Sequence, residues 1–221
     1  MTTYADMYNR IGDEIQDSTL TTQVQRAIQD AIGGFEHNRF YFNTTRGSFS
    51  TVANQEYYGA ADFADIPRLI EIISLVATVN AVDFPLQPED YRQMDRAQNS
   101  YYKGPPRTFA YYGEQIRLYP IPDQVYPLRM SYHYRLTPLV NAIDTNAWMT
   151  EAEMLIRQTA KGLLAIDVLQ EPNIAAGAQI LADKALAGLQ METRKRRSND
   201  TLKTQLPRRW HYGDVRSGET W

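Results

Sequence analysis

No cysteine occurs in the 221 residues. That removes disulfides, thiolate zinc sites, iron–sulfur clusters and cysteine nucleophiles together, along with the small disulfide-stapled secreted class. Histidine is scarce: His37, His133 and His211 are the three present, and none has a partner at metal-ligand spacing. Long apolar runs are missing too. The best, Leu69 to Val82, is broken by Glu71 and Asn80 and falls short of the roughly 18 residues a membrane helix needs, so no membrane span is expected. The opening Met1-Thr2-Thr3-Tyr4-Ala5-Asp6 has neither the basic nor the apolar stretch of a signal peptide. No nucleophile elbow, P-loop, dinucleotide fingerprint, H-E-x-x-H or EF-hand loop occurs. Asp62, Asp65, Asp83, Glu89 and Asp90 sit where turns and a helix start use carboxylates for local reasons. No catalytic residue, cofactor site or metal site is expected, and the sequence points away from an enzyme.

What is present points to assembly. There are 15 Tyr against 7 Phe, and 18 of the 23 basic residues are Arg. Tyr and Arg are enriched in buried protein interfaces, where Lys is depleted. The net charge of -3 conceals a division. Residues 194–221 hold eight basic and three acidic groups, net +5, and the preceding 193 hold 15 and 23, net -8. The basic end includes the cluster Arg194, Lys195, Arg196 and Arg197, suited either to a phosphate or to the negative end of a helix dipole. Beyond it lie Arg208, Arg209, Trp210, Tyr212 and Trp221 with no periodicity. Residues 198–221 read as an extended arm, able to span up to about 80 Å.

Periodicity divides the rest of the chain. Tyr4, Met7, Tyr8, Ile11 and Ile15 share one helical face. Val24, Ala27, Ile28, Ala31, Ile32 and Phe35 form the stripe of a second helix, for which Thr22 and Gln25 have capping-box spacing. From Arg39 to Leu139 alternation takes over. Phe40–Asn43 reads as the first extended stretch, Thr44–Ser50 as a polar segment turning at Gly47, and Gln55–Tyr58 as a short extended piece. Arg68–Val82 reads as one long strand or two short ones, and Pro88–Arg96 as a short helix with Pro88 near its first turn. Phe109–Tyr119 reads as a hairpin turning at Gly113-Glu114, and Leu128–Arg135 as a half-buried strand. Five or six strands of this kind make a small sandwich or barrel.

Helix returns with a second capping-box spacing, Thr150 and Glu153, followed by Leu155, Ile156, Thr159, Ala160, Leu163 and Ile166. Pro172 opens a last helix to Arg197, with a stripe of Ile174, Gly177, Ala178, Leu181, Ala185, Gly188 and Leu189. The expected fold class is α+β. A four-helix bundle is built from both chain ends (1–43 and 145–197), with an inserted small antiparallel β sandwich or barrel (44–144) and an extended basic and aromatic C-terminal arm (198–221). The doublets Tyr101-Tyr102 and Tyr111-Tyr112 suit a stacking platform or cross-strand pairs.

Several segments in this order carry a resemblance. They are Tyr4-Ala5-Asp6-Met7-Tyr8-Asn9-Arg10-Ile11, Thr22-Gln23-Val24-Gln25-Arg26-Ala27-Ile28, Phe35-Glu36-His37-Asn38-Arg39-Phe40-Tyr41-Phe42-Asn43, the stretch from Pro105 to Pro122, Tyr126 to Arg135, and Asn146-Ala147-Trp148 leading into the Glu151 helix. Over nearly the whole chain to about residue 197 it resembles the head–tail adaptor (connector) proteins of tailed bacteriophages, the tail-tubular-protein-A-like group. The resemblance implies a structural virion protein without catalytic activity. It implies a dodecameric ring, portal protein above, tail or nozzle protein below, and genomic DNA passing through the centre, with assembly in the host bacterial cytoplasm. In that setting the arm residues Arg208, Arg209, Trp210, Tyr212 and Trp221 are the expected contact to the portal or to a neighbouring copy. The alternatives are a nucleic-acid-binding module using the basic tail, or a related tail ring such as a stopper or terminator.

Overall fold

The structure is a computed structural model that describes residues 2–97 and 102–197. Helix α1 (Tyr4–Ile15) starts on a reciprocal cap: the Thr3 hydroxyl accepts from the Asp6 amide at 3.1 Å, and the Asp6 carboxylate accepts from the Thr3 amide at 2.9 Å. Gln16 turns left-handed, a short 3₁₀ turn (Ser18–Leu20) follows, and α2 runs over Thr21–Phe35. The Thr22–Gln25 capping box does not form, because Thr22 lies inside the helix rather than in the extended backbone a cap requires. The Asp17 carboxylate instead caps the preceding turn by accepting from the Thr19 amide at 2.9 Å.

Eight strands follow among the described residues, more than the five or six expected. β1 is Thr44–Ser50, β2 Tyr57–Tyr58, β3 Leu69–Val79, β4 Val82–Pro85 and β5 Gln87–Pro88. After helix α3 (Tyr91–Ala97) come β6 (Thr108–Tyr112), β7 (Gln115–Tyr119) and β8 (Pro127–Tyr134). They form two four-stranded sheets, ordered β1-β8-β3-β4 and β2-β7-β6-β5. Every pairing is antiparallel except β5 with β6. Neither sheet closes into a barrel; both bury their inner faces in one shared core that includes Phe49, Tyr58, Leu75, Phe109, Ile116, Leu128 and Tyr132.

Three local expectations are corrected here. Phe40–Asn43 is not extended but a turn, pinned by the Asn43 side chain, which accepts from the Phe40 amide at 2.8 Å. Thr44–Ser50 is not a polar turn but strand β1, and Gly47 sits in its middle opposite Met130. A Cβ on Gly47 would stand 2.5 Å from the Phe63 ring, so the glycine makes room for that ring. Pro88 is not in a helix but in β5, and α3 begins after Asp90, whose carboxylate accepts from the Arg92 amide at 2.7 Å. The hairpin at Gly113-Glu114 is as expected: both residues have positive φ, the conformation of a two-residue hairpin turn.

The far helices are α4 (Ala147–Thr150), α5 (Glu153–Asp167) and α6 (Pro172–Arg197). Thr150 and Glu153 make no capping box; Asn146 caps α4 by accepting from the Trp148 amide at 3.0 Å, and Glu153 pairs with Arg10 and Arg157 instead. α5 is buried on most of its circumference, and Ile166, placed on its stripe by spacing, is 62% exposed. Residues from both chain ends share one apolar core: Met7 and Ile11 of α1, Ile28 and Ile32 of α2, Leu155, Ile156 and Leu164 of α5, and Leu189 of α6.

The β region enters and leaves this helical part at one place. β1 and β8 are paired neighbours, with Thr44 opposite His133, and the Tyr134 amide donates to the Asn43 carbonyl at 3.1 Å. About 90 residues can therefore interrupt the helices without separating them.

Candidate functional site

The basic cluster at the end of α6 does not act as one unit. Arg196 lies over the Tyr41 ring, 3.7 Å from its centroid, and its Nη2 donates to Glu192 Oε1 at 2.5 Å. The Tyr41 hydroxyl donates to Glu151 at 2.5 Å. Desolvation first, then that bond to a carboxylate, push the Tyr41 phenol up to about 12. Arg197 Nη2 donates to the Arg39 carbonyl and to Thr44 Oγ1, both at 3.3 Å. Thr193, one turn back and buried, accepts from the Tyr41 amide at 3.3 Å. So Thr193, Arg196 and Arg197 stitch the helix end to the 40–44 turn that leads into β1. Arg194 and Lys195 are exposed, and no carboxylate among the described residues lies within ion-pair reach of either.

The arm residues Arg208, Arg209, Trp210, Tyr212 and Trp221, and His211 with them, lie outside the described residues, as does Tyr101. Tyr102 is exposed; Tyr111 turns inward and donates to the Ile66 carbonyl at 2.9 Å; Tyr112 faces out and stacks on Tyr91 at 4.7 Å. They do not share a platform. Four of the five carboxylates have a local partner: Asp62 accepts from Gln55 and from the Gly59 amide, Asp65 from the Tyr132 hydroxyl and Arg68, Asp83 from Thr78 and Arg129, and Asp90 from the Arg92 amide. Among the described residues no group of three His, Asp or Glu could hold a metal ion, and no helix is long and apolar enough to cross a membrane.

His37 is exposed at the end of α2. His133 is buried at the junction of the two cores, its Nε2 without a hydrogen-bond partner. Burial, then the nearby Arg39 guanidinium, hold its pKa below the usual imidazole value.

α6 corrects its own stripe. Ala178, Leu189 and, partly, Ala185 face the core, joined by Ala175, Ala182 and Thr193. Ile174, Gly177, Leu181 and Gly188 face outward with Lys184 and Met191, which is 59% exposed. Counted as 174, 177, 181, 184, 188 and 191, the outward row steps by three and four residues alternately, the spacing of a helix–helix seam. Nothing lies within 4 Å of where a Cβ on Gly177 or Gly188 would be.

Two further features escaped the sequence. Arg117, which the hairpin reading leaves without a role of its own, is buried between Glu56 and Asp95 and lies over the Tyr57 and Tyr91 rings. Arg39 and Arg46 stand at the outer face of the first sheet. The polar alternation Thr44, Arg46, Ser48, Ser50 would have indicated a strand there, had Gly47 not suggested a turn.

The model of the SU10 adaptor protein family matches residues 2–209. No curated protein matched the sequence. The chain therefore belongs to the SU10 adaptor protein family, a family of phage structural adaptor proteins.

Proposed function

We propose that this adaptor-family chain is the head–tail adaptor of a tailed phage, a dodecameric ring seated between portal and tail or nozzle and surrounding the DNA channel. The observation that carries the reading is the outward row of α6. Glycine in a helix interior costs about 1 kcal/mol relative to alanine. Gly177 and Gly188 bear that cost although the open space beside them leaves internal packing with no use for it. A second helix approaching closely, with Ile174, Leu181 and Met191 between the glycines, gives them one. In this reading α1, α2, α5 and α6 act as a four-helix unit drawn from residues 1–43 and 145–197. Residues 44–144 supply the second contact surface, towards the tail. The arm 198–221, through Arg208, Arg209, Trp210, Tyr212 and Trp221, anchors each copy to the portal or to its neighbour.

The test mixes the purified chain with its portal and images the product by negative-stain electron microscopy. Rings seated on the portal are expected. Leu181→Glu combined with Gly188→Glu, both on exposed positions, should abolish them while leaving the circular dichroism of the isolated chain unchanged. Removal of 199–221 should abolish portal capture. A wild-type chain that stays monomeric in the presence of portal sinks the ring; undiminished capture by the truncated chain sinks the role of the arm.

A further inference from the structure

The first sheet turns one face away from the shared core, and that face carries arginine and small hydroxyls with Ile73 and Val76 among them. The register aligns Arg46 of β1 with Ser131 of β8 and Ser74 of β3 in one row, and Ser48, Arg129 and Val76 in the next. Serine at the centre of the face leaves its floor recessed. Two adjoining hollows result, of about 390 and 350 Å³, and both are lined by Arg46, Ser74 and Ser131. Arg129 stands over the first, and Arg39 and Arg197 over the second. Among the described residues no carboxylate and no aromatic ring lines either hollow.

The charge of this trough is only half balanced. Arg39 pairs with Glu71 and Arg129 with Asp83. No carboxylate among the described residues lies within ion-pair reach of Arg46 or Arg197. Arg194 and Lys195, on the same last turn of α6 as Arg197, add two more exposed cations without such a partner. We infer that the trough binds the phosphodiester backbone of a nucleic-acid duplex without reading its sequence. Arginine and hydroxyls are the groups that contact phosphate and sugar. A single strand would call for rings on which to stack its bases, and a protein partner for an aromatic anchor; among the described residues the trough has no ring, and the aliphatic groups in its lining, Ile73, Val76 and Met130, are set between arginines. The inference needs only the isolated chain and stands whether or not the ring forms.

The test uses the full chain and a fluorescein-labelled 20-base-pair duplex, with anisotropy followed between 25 and 150 mM NaCl. Each phosphate contact contributes about 0.9 to the slope of log K against log salt. The pair Arg46→Ser and Arg197→Gln should therefore flatten the slope by up to about 1.8 and weaken binding at 50 mM salt by roughly tenfold. Arg46→Ser alone, at an exposed position with no ion-pair partner among the described residues, should flatten it by about 0.9 and leave the fold untouched. Changing Arg208 and Arg209 to Ser serves as the control for the tail. The inference is overturned if wild type fails to bind duplex at 25 mM salt, or if the trough variants keep the wild-type slope while the tail variant loses it. It is also overturned if poly-glutamate of matched charge binds as tightly as duplex and with the same sensitivity to Arg46, since the trough would then serve an acidic protein surface.

Discussion

Substituting Gly47 tests the packing of the β core at one point. An alanine Cβ there would lie 2.5 Å from Phe63 Cζ, 3.1 Å from its Cε2 and 3.2 Å from Tyr132 Cε1. Carbon atoms rest at about 3.5–4.0 Å, so the Phe63 ring has to withdraw by about 1 Å. It is not free to do so, because it stacks on Phe49 with centroids 5.9 Å apart and meets Tyr132 edge-on at 5.8 Å. Overpacking of this kind costs about 1–3 kcal/mol. The gain from replacing glycine in a strand returns about 0.5–1 kcal/mol, so Gly47→Ala should destabilise by about 1–2 kcal/mol in urea titration, with the slope m unchanged. The decisive comparison repeats the substitution in a Phe63→Ala background. Without the ring the contact under 3.0 Å is gone and Tyr132 Cε1 stands at 3.2 Å, so Gly47→Ala should become neutral or stabilising by up to about 1 kcal/mol. An equal loss in both backgrounds would refute the reasoning, because the glycine would then act through its backbone and not through the space it leaves for Phe63.

Other sites give sharp expectations. Arg117→Met removes the cation shared by Glu56 and Asp95, each 2.5 Å away, and both ring contacts; since both carboxylates keep some access to water, the loss should be about 2 kcal/mol by urea titration. His133 has a depressed pKa in the folded state, so the unfolded chain binds its proton first as pH falls. Stability should therefore be full above the ordinary imidazole pKa near 6.5 and decline below it, until the folded pKa is passed, and His133→Gln should flatten that part of a stability-against-pH curve. Asn146→Ala removes the α4 cap and the 2.8 Å bond from Asn146 to the Thr137 carbonyl, and should lower stability by about 1 kcal/mol in thermal melts read as free energies.

Helices were legible where one face had a single job. The stripes of α1 and α2 appear in the structure as spaced in the sequence, because every apolar residue in them meets the same core. α6 was legible in extent but not in orientation. Its apolar and small residues serve two rows about a third of a turn apart, and hydropathy merges them into one stripe. Both proposed capping boxes failed for a common reason: the spacing of Thr22 to Gln25 and of Thr150 to Glu153 recurs anywhere in a helix, and only an extended backbone at the first residue makes it a cap. Gly47 was misread because a strand glycine that admits a ring and a turn glycine look alike in sequence. Arg117 escaped notice because its partners come from 22 and 61 residues away. The basic cluster 194–197 was visible as charge, but its division into stitching residues and exposed ones depends on Tyr41 and Thr44, more than 150 residues earlier in the chain.

The adjacency of β1 and β8 bears on the order in which the chain can fold. The helical core joins Phe40 to Leu139, and closing it around an unfolded β region means closing a loop of roughly 100 residues. Once β1 and β8 are paired, the same closure spans only the few residues on either side of the Asn43–Tyr134 hydrogen bond. Loop entropy grows as (3/2)RT ln n, so the difference between roughly 100 residues and about ten is about 2 kcal/mol. Pairing of β1 with β8 thus lowers by that amount the closure cost left to the helices, and the strand pair works as a clasp that holds the two ends of the chain within reach of each other.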